Sequence, residues 1–249
     1  MTLLRIEWKR WLRSRTFLIL CAVFIFSGLS SPLMTYYSRD ILASMGGAYT
    51  QALELPKPSW QELIISYFKN ASQLSLFVGL YLICQLCLLG KSDSLRLFYL
   101  TRTKSPWRLY LSKITMSLSL LSVASLLGQL TAFYTTWTLF NDLVWSDILK
   151  AFLWHWLGLL IFALFALCLA LYSQSAFLPA LVVEVFIILS GVLTGSQMGK
   201  WLPSNLLSLS TYFEKGIVLS ESPFLWILGL MVLLSLLGLH LLRLSYDNR

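Results

Sequence analysis

Charge is the scarcest property of this chain: 12% of its 249 residues are Asp, Glu, Lys or Arg, against 57% apolar. A soluble domain carries about 25% charged residues, so the composition predicts a membrane protein. Histidine is nearly missing, with only His155 and His240, which the topology below puts near opposite membrane faces. General acid–base or metal chemistry therefore has few residues to work with. No H-E-x-x-H or G-x-S-x-G is present, and Gly195-Ser196 is a plain Gly-Ser pair on a predicted helix. The G-x-x-x-x-G-K-[ST] phosphate loop is missing as well, so the chain does not bind ATP by that route. These absences predict a chain that is not an enzyme. The four cysteines, Cys21, Cys84, Cys87 and Cys168, all fall in apolar runs. Cys84-x-x-Cys87 lacks a second ligand pair, which favours packing over metal or redox chemistry. A net charge of +8 raises nucleic acid as a partner, but the basic residues form short clusters beside apolar runs, which points to orientation in a bilayer instead.

What the chain does have is long apolar runs. They predict an all-α integral membrane protein forming a single domain over residues 1–249, with spans at about 16–37, 66–89, 106–137, 148–172, 176–198 and 223–242. Residues 1–15 precede them as an amphipathic interfacial helix. Leu4, Trp8, Trp11 and Leu12 share one face, and Arg5, Lys9 and Arg13 share the other, toward anionic lipid. The run from Thr16 to Tyr37, with Pro32 near its far end, is longer than a signal-peptide core. Ser38 to Ile65 reads as an outside segment. Ser105-Pro106 reads as a helix start, and the third span is long enough to tilt or project. Tyr172 to Ser175 forms a tight turn. Gly199 to Ser222 is apolar but interrupted by Pro203, Asn205 and Gly216, which predicts a re-entrant or interfacial hairpin before the last span.

Sidedness follows from the island Gly90 to Lys113, which holds six of the nineteen basic residues against one acid, Asp93. Basic loops stay inside, so the island and both termini are predicted to be cytoplasmic. On that map the inside segments hold thirteen Lys/Arg and three Asp/Glu, and the outside segments six and seven. Within the island, Leu95, Phe98 and Tyr99 form one face of a short helix, with Arg96 and Arg102 alongside. It is either a surface anchor or a docking helix, and the ordered apolar face favours docking.

Glu184 is left over, about 12 Å inside the fifth span at 1.5 Å per residue. It faces a polar path, or it is a structural carboxyl bonded to Gln85 or reached by Lys113. Thr131, Thr135, Thr194 and Gln197 read as helix glue. Gly191, Gly195 and Gly199, four apart, make a face that another helix can approach closely.

The basic helix before span one, the segment from Leu95 to Lys113 and the broken hairpin before span six together resemble a permease subunit of the ATP-binding-cassette type 2 exporter family. The resemblance covers the whole chain in topology. It implies a plasma-membrane exporter, bacterial in origin, that works as a homodimer or heterodimer with separate cytoplasmic ATPase subunits. ATP and Mg would be bound on those subunits and no cofactor on this chain. It further implies that Leu95, Arg96, Phe98, Tyr99 and Arg102 meet the ATPase, helped by Trp8, Trp11 and Arg13. Gln85, Glu184, Gly191, Gly195 and Gly199 would line the path or a helix interface, which for the family includes the second and fifth spans. The rival is an ATPase-independent carrier or a membrane assembly factor; a carrier is expected to show paired broken helices or an internal repeat, and neither is evident.

Overall fold

The computed structural model describes residues 3–45, 58–88 and 106–193, together with Ser204, Leu207, Gly229, Leu233, Leu236, Leu237, Gly238 and His240. Among the described residues all regular structure is helical: α1 (Leu3–Leu12), α2 (Arg15–Tyr36), α3 (Ser38–Met45), α4 (Trp60–Asn70), a π-helical segment (Ala71–Ser75), α5 (Leu76–Cys87), α6 (Pro106–Leu139), α7 (Trp145–Ser173) and α8 (Phe177–Leu193). Arg15–Tyr36, Trp60–Cys87, Trp107–Leu139 and Trp145–Ser173 are long and apolar enough to cross a bilayer. A chain built this way is a helical membrane protein. The fifth expected span is described only as the 17 residues of α8, and of the sixth only isolated positions are described.

The second span starts earlier than its hydropathy predicts. Trp60 to Ile65, expected outside, already belong to α4. The Ser59 hydroxyl accepts from the Glu62 backbone amide at 3.4 Å and starts the helix. Leu63, Ile64, Tyr67 and Phe68 turn inward, while Glu62 and Lys69 stay exposed. Those outward charges lowered the average hydropathy and hid an amphipathic first turn. Pro106 does begin α6, a helix of 34 residues. The turn after α7 is closed by Gln174 at φ 53°, a left-handed C-terminal position, and its amide donates to the Leu171 carbonyl.

α2 and α6 make the most extensive contact of any described helix pair. The reason is a seam of small residues. Ala124, Gly128, Ala132 and Thr136 recur every fourth position on α6, and all are buried. A β-carbon at Gly28 would collide with the Thr131 hydroxyl and the Gly128 carbonyl, and one at Gly128 would lie 2.9 Å from the Phe24 carbonyl. Two backbones therefore meet where only glycine fits. Pro32, inside α2, has no amide hydrogen to give the Gly28 carbonyl four residues earlier. Thr135 Oγ1 of α6 lies 3.2 Å from that carbonyl and also 3.0 and 2.9 Å from the Thr131 and Ala132 carbonyls of its own helix, so its one hydrogen is shared among the three. Thr135 is thus interhelical glue, as its polarity within a span predicts. Thr131 bonds its own helix instead, at the Leu127 and Gly128 carbonyls.

Candidate functional site

Two polar clusters are built into this apolar bundle. The first lies at the end of the bundle formed by α1, the last turn of α5 and the first turns of α6. Lys113 Nζ is 3.5 Å from Glu7 Oε1 and 3.3 Å from the Leu86 carbonyl oxygen, and the lysine side chain is only 3% exposed. The last four carbonyls of a helix have no amide partner within it, and Leu86 is one of these in α5. Lys113 satisfies it from the neighbouring helix. A lone buried ammonium costs several kcal/mol, and the buried carboxylate of Glu7 offsets that cost. Arg10 adds little, at 3.8 Å from the same oxygen and half exposed. Trp11, one turn beyond Glu7, is buried in the core that also holds Cys84, Cys87, Tyr110 and Ile114. α1, α5 and α6 are thus joined through one cation.

The second cluster surrounds His155, which is fully buried. His155 lies ten residues from the start of α7, about 15 Å deep at 1.5 Å per residue. Its ring stacks on Phe68, with centroids 4.5 Å apart. Gln129 Nε2 is 3.0 Å from the Phe152 carbonyl and 3.3 Å from His155 Nδ1, which uses both amide hydrogens. Nδ1 is then an acceptor, so the proton of the neutral ring sits on Nε2 and points at Ser72 Oγ, 3.2 Å away. Ser72 in turn donates to the Leu207 carbonyl at 3.2 Å. Each donated hydrogen along this relay has its own acceptor. Ser72 can stand there because it belongs to the π-helical segment, whose extra residue rotates the chain between α4 and α5. Leu207 is buried; of the expected re-entrant or interfacial hairpin at 199–222, only Ser204 and Leu207 are among the described residues.

Several expected positions are revised by these contacts. Trp8 and Leu12 are exposed but Trp11 and Glu7 point inward, so Trp8 and Leu12 of the expected apolar face do not share the burial of Trp11. α1 docks on α6, and Trp11 is not on the surface offered to a partner. Arg13 is exposed. Lys113 does not reach Glu184; it is engaged by Glu7 and Leu86. Glu184 is half-buried, and its Oε2 has no hydrogen-bond partner among the described residues, so the expected bond to Gln85 is not formed. Gln85 is exposed on α5. A β-carbon at Gly191 would meet no atom of the described residues within 4 Å, whereas Gly28 and Gly128 make a close crossing between α2 and α6. Cys84, Cys87 and Cys168 form no disulfide among the described residues and pack in the core. Leu95, Arg96, Phe98, Tyr99, Arg102, Thr194, Gly195, Gln197 and Gly199 lie outside the described residues.

Glu7, Gln129 and Ser72 were missed by sequence reasoning, and His155 was set aside there for want of partners. Glu7 carried one legible signal: no other acid precedes Asp40, and a single acid amid five basic residues invites the question of what it neutralises. No family model, no curated protein and no solved structure matches this chain.

Proposed function

We propose that this chain is the membrane-spanning subunit of an exporter of the ATP-binding-cassette type 2 class, driven by ATPase subunits that are separate chains. The reading rests on the placement of the Glu7–Lys113–Leu86 joint. The predicted docking segment, Leu95 to Thr103, is bracketed in the chain by the end of α5 and the start of α6. Lys113 ties those two ends to each other and to α1. A push on the bracketed segment would then move α6 as a rod of 34 residues instead of stretching a loose loop. α6 lies along α2 through the glycine crossing, so its tilt is passed to a second span. On this reading the island faces the cytoplasm of a plasma membrane, Arg96 and Tyr99 touch the ATPase, and a second permease chain completes the path beside Glu184.

A carrier without an ATPase finds support in one observation, the π-helical interruption beside His155, because carriers bind cargo at irregular helices near mid-membrane. Against it, the hydrogen bonds of Ser72, His155 and the Gln129 amide nitrogen are all directed within the protein. Purification in mild detergent separates the two: an exporter permease brings down a nucleotide-binding protein, and a carrier does not. In reconstituted vesicles, Arg96→Ala with Tyr99→Ala should leave insertion intact and abolish ATP-dependent transport while basal hydrolysis persists. Full transport by the double variant would refute the docking role.

A further inference from the structure

The inward turn of Glu7 has an electrostatic effect on the rest of α1. It is the only acid before Asp40, and it is buried against Lys113. Arg5, Lys9, Arg10, Arg13 and Arg15 are all exposed. Among the described residues the exposed charges of α1 and of Arg13 and Arg15 beside it are therefore all basic, although the sequence of α1 itself contains one acid. Trp8 and Leu12, one turn apart, are 44% and 51% exposed on the same helix. An exposed tryptophan and leucine amid five cations match a headgroup boundary, where the apolar side chains enter the acyl layer and the cations meet phosphates.

We propose that α1 is a binding surface for anionic lipid headgroups. Lipid phosphates screen the mutual repulsion of the five cations, and bound lipid thereby holds Glu7 against Lys113. Charge complementarity selects this occupant: a neutral headgroup offers the basic residues no net attraction, whereas each Lys or Arg near an anionic surface gains roughly fivefold in affinity. Trp11 and Glu7 are already committed to α6, so the helix is docked on the protein by one stripe and free to bind lipid with the remainder. The exporter reading is not needed for this, since the argument uses only contacts within α1 and α6.

The test uses the full-length chain in nanodiscs of equal parts phosphatidylglycerol and phosphatidylcholine, with lipids retained after purification counted by native mass spectrometry. The wild type should retain phosphatidylglycerol several-fold over phosphatidylcholine. Arg5→Gln/Lys9→Gln/Arg13→Gln should bring that ratio toward one and remove any rise in melting temperature caused by phosphatidylglycerol. Arg39→Gln, an exposed cation on α3 at the far end of α2, should change neither. An unchanged ratio in the triple variant overturns the proposal. If that variant does not fold, the wild type still decides, because enrichment that survives a tenfold rise in salt is not electrostatic and also overturns it. Loss of a copurifying ATPase with lipid enrichment intact assigns the surface to that protein and overturns the proposal. Intact lipid selectivity with no ATPase recovered sinks the exporter reading alone.

Discussion

The two buried polar clusters solve the same problem by different chemistry. At the α1 end a full positive charge is buried, and a full negative charge is brought in from a separate helix to meet it. Around His155 no charge is needed: an amide, a neutral imidazole and a hydroxyl pass hydrogen bonds in one direction between α6, α7, the π-helical segment and Leu207. An ion pair fails severely when one partner is removed, because the survivor is left charged in a dry site. A neutral relay fails by smaller steps, one unsatisfied group at a time. The ionic joint sits where helices meet the ends of residues 89–105, and the neutral one sits ten residues inside α7.

Lys113→Met should give the largest effect, destabilising the bundle by about 3–5 kcal/mol, because Glu7 keeps its charge and loses its partner. Adding Glu7→Leu should recover most of that loss in denaturation by mixed micelles. A double variant as unstable as the single one would show that the pair is not the source of the effect. His155→Ala should cost about 3 kcal/mol, from the cavity beside Phe68 and the orphaned Gln129 and Ser72. It should also expose the amides of residues 71–75 to hydrogen exchange, while Lys113→Met leaves them protected; equal exchange in both variants would erase the distinction between the clusters. Thr135→Val tests the glue between α2 and α6. It should cost at most about 1 kcal/mol, by removing the hydroxyl that the Gly28 carbonyl shares with the Thr131 and Ala132 carbonyls. Arg10→Gln should be the mildest, under about 0.5 kcal/mol by thermal denaturation, since its ion pair is long and half exposed.

Much of the helix layout was legible along the chain. Pro106 marked the start of α6, Gln174 lies inside the predicted turn, and the apolar runs announced the four long helices. Trp11 was legible as an apolar position but not as a buried one. In a bilayer the side facing lipid and the side facing protein are both apolar, so periodicity that separates core from water in a soluble helix does not separate core from lipid here. Hence Gly28 and Gly128, each unremarkable in its own segment, make a close crossing that the conspicuous spaced series beginning at Gly191 did not announce. The same blindness applies to Glu184, whose depth could be counted but whose neighbours could not.

The sequence by itself determined that the chain crosses a membrane as helices, because backbone amides in lipid must bond within their own segment and apolar length decides where that happens. Tertiary structure decided which polar side chains meet. Glu7 with Lys113, Ser72 with His155 and Thr135 with Gly28 are brought together by helix crossings. Such pairings depend on rotation and depth of whole helices relative to one another, and local propensity carries no information about either.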